Sequence, residues 1–117
     1  PARAYGPEAT AAAVVTWAGG FTLTATLSDA ANGGQAVAAA EYFVDTLGAN
    51  GSGAPMQPAD GAWSASQEAV VVALPALSPG RHTLFVRGRD AAGNWGTLAA
   101  TFWDTPWRYY LPIVLRD

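Results

Sequence analysis

At 117 residues and a formal charge of -3, the chain suits one domain of ordinary size, burying about two-thirds of the surface its unfolded form exposes. With 50% hydrophobic and 13% charged residues it is no disordered polyelectrolyte, and its six scattered arginines are too few to neutralise nucleic-acid phosphates or to hold an anionic membrane surface. The lack of cysteine excludes disulfides and thiolate metal sites, and no apolar run approaches the ~20 residues of a membrane-spanning helix.

Residues 1–10 (PARAYGPEAT) carry two prolines and a glycine without periodicity and read as a linker arriving from an upstream domain; the proline at position 1 is what a segment of a larger protein would show. Residues 11–17 predict a short first strand, because Val14, Val15 and Thr16 are β-branched and two glycines follow soon after. Residues 21–28 alternate Phe21, Leu23, Ala25 and Leu27 with Thr22, Thr24, Thr26 and Ser28, a strand with one buried face. Residues 29–35 (DAANGGQ) form a turn in which Asn32, Gly33 and Gly34 accept positive φ. In residues 36–45 the strand preference of Tyr42, Phe43 and Val44 outweighs the helical bias of the alanines, and Ala40, Tyr42 and Val44 point inward.

Residues 46–60 are rich in glycine and proline, a long connection of the kind that is usually functional or mobile. Asp60-Gly61 then turns the chain into a short edge segment at 62–66. The continuous apolar run 68–74 suits a strand covered on both sides or lying beneath the preceding loop, and Pro75 ends it. Residues 77–96 (LSPGRHTLFVRGRDAAGNWG) predict a turn, a long strand and a second turn. Leu84 and Val86 share one face with His82 and Gly88; Thr83, Arg87 and Arg89 take the other. A last strand is expected over 95–103, with Leu98, Ala100 and Phe102 on one face and Trp95 and Trp103 on the face of Thr97, Ala99 and Thr101. About seven short strands without a long helix predict an all-β antiparallel sandwich spanning 11–104, of immunoglobulin or fibronectin type III character; an eight-stranded barrel is the alternative.

The stretch 77–96, with AEYFVD at 40–45, resembles the bacterial immunoglobulin-like and fibronectin type III-like modules attached to secreted proteins, especially extracellular peptidases. The matching positions are Leu77, Pro79 and Gly80 at the opening turn, His82 within the strand, and Asp90, Gly93 and Asn94 at its reversal. The resemblance implies a secreted or cell-surface setting, an upstream catalytic domain in the same polypeptide as partner, and a non-catalytic accessory role that spaces, stabilises or positions that domain. The long 46–60 loop and the aromatic tail depart from generic members.

His82 is the only histidine, so a Ser/His/Asp triad would have to be built on it, and no serine sits in a GxSxG elbow. Its strand phase predicts a core-margin side chain hydrogen-bonded to a turn. One histidine and no cysteine also disfavour zinc. Asp29, Asp45, Asp60 and Asp90 stand at strand ends; Asp45 and Asp60, flanking one loop, are the pair expected to meet if calcium binds, against the simpler reading of aspartates capping turns. Five tryptophans raise the alternative of a carbohydrate-binding or adhesive module, although core packing accounts for part of them. The candidate ligand or partner surface comprises Trp63, Trp95, Trp103, Trp107, Tyr109 and Tyr110. In the tail, 105–117, Trp107, Tyr109, Leu111, Ile113 and Leu115 keep a period of two through Pro112, as a closing edge strand or a docking segment for a protein or polysaccharide partner would.

Overall fold

The computed structural model describes residues 6–17, 20–30 and 33–105. Within them the chain forms eight strands and no helix: β1 (Glu8–Trp17), β2 (Gly20–Ser28), β3 (Val37–Val44), β4 (Ala54–Pro55), β5 (Gln57–Pro58), β6 (Gln67–Ala73), β7 (Gly80–Asp90) and β8 (Ala99–Thr105). All pairings are antiparallel, in two four-stranded sheets ordered β1-β2-β6-β5 and β4-β3-β7-β8.

The alternation read in the sequence becomes one shared core. Leu23, Ala25 and Leu27 of β2 and Val70 of β6 face Val37, Ala40 and Tyr42 of β3 and Leu84 and Val86 of β7. Burying each such leucine or valine contributes roughly 1.5–3 kcal/mol. The sheets approach closely at Gly88, where an added Cβ would lie 2.5 Å from Leu27 Cδ1, so a larger residue there would require the leucine to move. A second close approach closes the end of the sandwich: a Cβ on Gly96 would sit 1.8 Å from Pro7 O.

Three expectations need correction, and one pair of alternatives separates. The first strand begins at Glu8, and Ala9 is a core residue whose N–H donates to Thr97 O (3.2 Å), so the segment from residue 6 to 10 belongs to the sandwich rather than to a linker. A β-bulge between Thr10 and Ala13, with Ala11 at φ 56°, hides this extension from a simple period-two reading. Residues 62–66 are not a strand. The 46–60 connection instead holds β4 on one sheet and β5 on the other, with buried Met56 between them donating its N–H to Ala40 O (3.0 Å). Of the two readings of 68–74, cover on both sides does not hold, since Glu68 and Val70 are buried while Gln67 and Ala69 are exposed; the preceding loop does lie against the strand, its β5 pairing with Val70 and Val71. The last strand runs Ala99–Thr105 rather than 95–103, and pairing decides which of its two faces turns inward. Pairing places Trp103, Thr101 and Ala99 opposite His82, Leu84 and Val86, so Trp103 packs inward on the core and against Phe21 (ring centroids 4.7 Å), while Phe102 is 62% exposed.

Candidate functional site

β7 carries two clusters of polar side chains, one at its start and one at its middle. At the start, His82 lies in the inward phase and is 8% exposed. Its Nε2–H donates to Ser78 O (2.7 Å) and its Nδ1–H to Asp45 Oδ2 (2.8 Å). Asp45, just past β3, is held by the same strand: Thr83 N–H donates to its Oδ1 (2.9 Å), and Asp45 N–H donates to Thr83 O (2.7 Å). Asp45 takes φ 66°, a left-handed conformation that aspartate tolerates better than most residues. Thr105 closes the group, its hydroxyl donating to Ser78 O (2.5 Å) and Gly80 O (3.0 Å).

Ser78, His82 and Asp45 thus meet in the order of a catalytic triad, with Ser78 Oγ 3.4 Å from Nε2. The chemistry differs from a triad's. Both ring nitrogens face acceptors, a carbonyl and a carboxylate, an arrangement that favours the protonated ring and turns Nε2–H toward the Ser78 carbonyl. A general base needs a lone pair toward the serine, and this ring has none. The backbone bond to Ser78 and then the Asp45 contact raise the His82 pKa above its ordinary value; Asp45 is lowered, first by the bond from His82. The arrangement fastens the turn before β7, the end of β3 and the end of β8 into one joint.

The second cluster lies on the outer face of the β3–β7 pair. Glu41 and Arg87 are direct cross-strand partners, and both are buried although they point away from the core. Arg87 Nη2 and Nε donate to Glu41 Oε2 (2.8 and 3.1 Å), and Nη2 also donates to Gly48 O (3.0 Å). Glu41 accepts from Gly51 N–H (3.2 Å, Oε2) and Gly53 N–H (2.7 Å, Oε1). The guanidinium lies over the rings of Phe43 (5.2 Å) and Trp95 (5.8 Å). Residues 48–53 are therefore tied down as a cover over the sheet by a buried ion pair. Neither Glu41 nor Arg87 stands out in the sequence, since each occupies an outward strand position where a charge ordinarily meets water. The available signal was their opposite charge on adjacent strands beside a glycine-rich loop.

Asp45 and Asp60 do not meet. The connection between them runs back along β3, pairing Pro55 with Glu41, before crossing to β6. Asp60 therefore turns toward the end of the sandwich where β3 begins, whereas Asp45 lies where β3 ends. Asp60 Oδ1 accepts from Ala62 N–H (3.1 Å), a local turn cap. Among the described residues no group of three or more His, Cys, Asp or Glu side chains could hold a metal ion.

Of the proposed aromatic surface, Trp63 and Trp103 are half-buried against the core, and Trp95 is half-buried beside Arg87 and Gly51. Trp95 and Trp103 lie on opposite faces of their sheet, so they form no common platform. Trp107, Tyr109 and Tyr110 lie outside the described residues, as does Asn32 of the 29–35 turn. No known family model matches the chain, and no curated protein matches it.

Proposed function

We propose that this chain is a non-catalytic accessory module, of immunoglobulin or fibronectin type III character, in a secreted bacterial enzyme, with an extracellular peptidase as the leading candidate. Its role is to space, stabilise or position an upstream catalytic domain through surface complementarity. The observation that carries this reading is the state of the single histidine: His82 is bonded through both nitrogens, and the Ser78–His82–Asp45 cluster has the members of a hydrolytic triad but works as a joint. The resemblance of 77–96 to peptidase-associated modules supplies the context. The carbohydrate-binding alternative relied on exposed tryptophans, and the half-buried state of Trp63, Trp95 and Trp103 favours packing over display.

Assays of the purified chain against activated esters and peptides test the reading directly, and turnover at the buffer rate is expected. Turnover above buffer that disappears in Ser78→Ala would overturn it. Fusing the chain to its upstream catalytic domain should raise that domain's melting temperature or its activity on large substrates, and the absence of both effects would remove the accessory role. Retention on insoluble polysaccharide would favour the carbohydrate-binding alternative.

A further inference from the structure

The inward faces of the two central strands end in the same way. β2 runs Leu23, Ala25, Leu27 and then Asp29; β7 runs Leu84, Val86, Gly88 and then Asp90. Because Gly88 lets Leu27 approach, the next rung brings the two aspartates together across the sheets. Neither has accessible surface, and backbone pairing brings them to the same end of the core: Asp29 N–H donates to Ser66 O (2.7 Å), Val37 N–H donates to the adjacent Ala65 O (2.9 Å), and Val37 is the register partner of Asp90. Asp90 is well supplied with donors: Ala92 N–H and Asn94 N–H to Oδ1 (3.0 and 2.9 Å), and a long contact from Asn94 Nδ2 to Oδ2 (3.4 Å). Asp29 is not. Its Oδ2 accepts from Gln35 N–H (2.8 Å), but its Oδ1 is buried without a partner.

Two carboxylates facing each other in a dry site repel, and a buried oxygen without a donor carries a desolvation cost. One proton resolves both problems, converting the Asp29 oxygen into a donor to Asp90. We infer that Asp29 and Asp90 share a proton, Asp29 Oδ1–H donating to the Asp90 carboxylate, and that this pair is a pH-sensitive latch joining the 29–35 turn to the β7–β8 turn. Among the described residues, neither aspartate forms a salt bridge. On β6, Glu68 is buried nearby with its carboxylate held by Ser64 and Ala65 N–H (2.9 and 3.0 Å); on β7, Arg89 lies in the outward phase. Asp90 is the ionisable group that acts on Asp29, and burial is the largest cause raising the Asp29 pKa. The latch also bears on the turns around it: Asp29 N–H donates to Ser66 O (2.7 Å), Gly34 N–H to Asp29 O (2.8 Å) and Ala91 N–H to Ala36 O (2.8 Å).

The sign follows from linkage. A carboxyl whose folded pKa is raised contributes stability that is fully present below its unfolded value and is lost as pH rises through the folded value. Asp29→Asn replaces the shared proton with a permanent N–H donor while keeping an oxygen for Gln35. Thermal unfolding of the full chain and of this variant across pH 3.5 to 8.5 tests the latch, with the carboxyl carbon shift of Asp29 followed by NMR. The wild type should lose melting temperature relative to Asp29→Asn as pH rises, ending about 4 °C or more below it at pH 8. The Asp29 carbon should titrate above the ordinary aspartate range. A difference between the two proteins that does not change with pH, or a normal titration of Asp29, overturns the inference. So does a wild-type melting temperature that rises with millimolar calcium, falls with chelator and loses both responses in Asp29→Asn, because the pair would then hold a metal cation.

Discussion

Arg87 shows how one side chain can be buried on a face that should be wet. Four partners hold it, Glu41, the Gly48 carbonyl and the rings of Phe43 and Trp95, while amides of the covering loop complete the Glu41 carboxylate. Removing one partner of such a pair leaves an uncompensated charge, so Arg87→Met should lower stability by about 3–5 kcal/mol in urea titration, while the double change with Glu41→Gln should cost clearly less. Equal losses in the two proteins would show that the ion pair is not what holds the loop. At the other polar cluster, the raised pKa of His82 gives stability that is present below 6.5 and lost as pH rises through the folded value. His82→Gln keeps polar contacts but cannot titrate, so the difference in melting temperature from wild type should shrink between pH 6 and pH 9.

At the scale of elements, one close contact between the sheets is a glycine against a leucine. Gly88→Ala places a methyl against Leu27 Cδ1, and overpacking of this kind costs about 1–3 kcal/mol; trimming Leu27 to valine in the same chain should recover part of the loss, measured by chemical denaturation. A failure of Leu27→Val to recover anything would place the strain elsewhere. The β1 bulge makes the opposite case. Ala11 is exposed at φ 56°, where an L-residue is disfavoured by about 1–2 kcal/mol, so Ala11→Gly should raise the melting temperature despite the added freedom of its unfolded chain. Both effects depend on backbone geometry that periodicity does not encode. Alternation alone located β2, the inward face of β7 and the Ala40, Tyr42 and Val44 face of β3, because a strand with one buried side must write that side at every second residue. It left β8 open, because Phe102 and Trp103 are adjacent and both apolar; only pairing with β7 decides which ring turns inward.

For the molecule as a whole, the two ends of β7 respond to acid in different ranges. Asp29 gives up stability as pH rises from 3.8 through its raised value, and His82 from 6.5 upward. Asp45 and Asp104, lowered first by the hydrogen bonds from His82 and Arg81, give up stability as pH falls below 3.8. These groups favour mildly acidic conditions over alkaline ones, so the contributions of Asp29 and His82 should make melting temperature fall, not rise, as pH increases toward 8. The amino-acid order by itself determined that the chain is all-β, where most strands lie, and that Asp60-Gly61 and the 90–94 segment are turns, because these follow from local sterics and a period of two. It also marked His82 as a fastener at the core margin. Only the tertiary structure decided which distant side chains meet: Asp29 with Asp90, Asp45 with His82 rather than with Asp60, and Glu41 with Arg87 under the loop. Those meetings depend on strand register and on where the 46–60 connection crosses between sheets, and both are settled by long-range packing that no local stretch of sequence records.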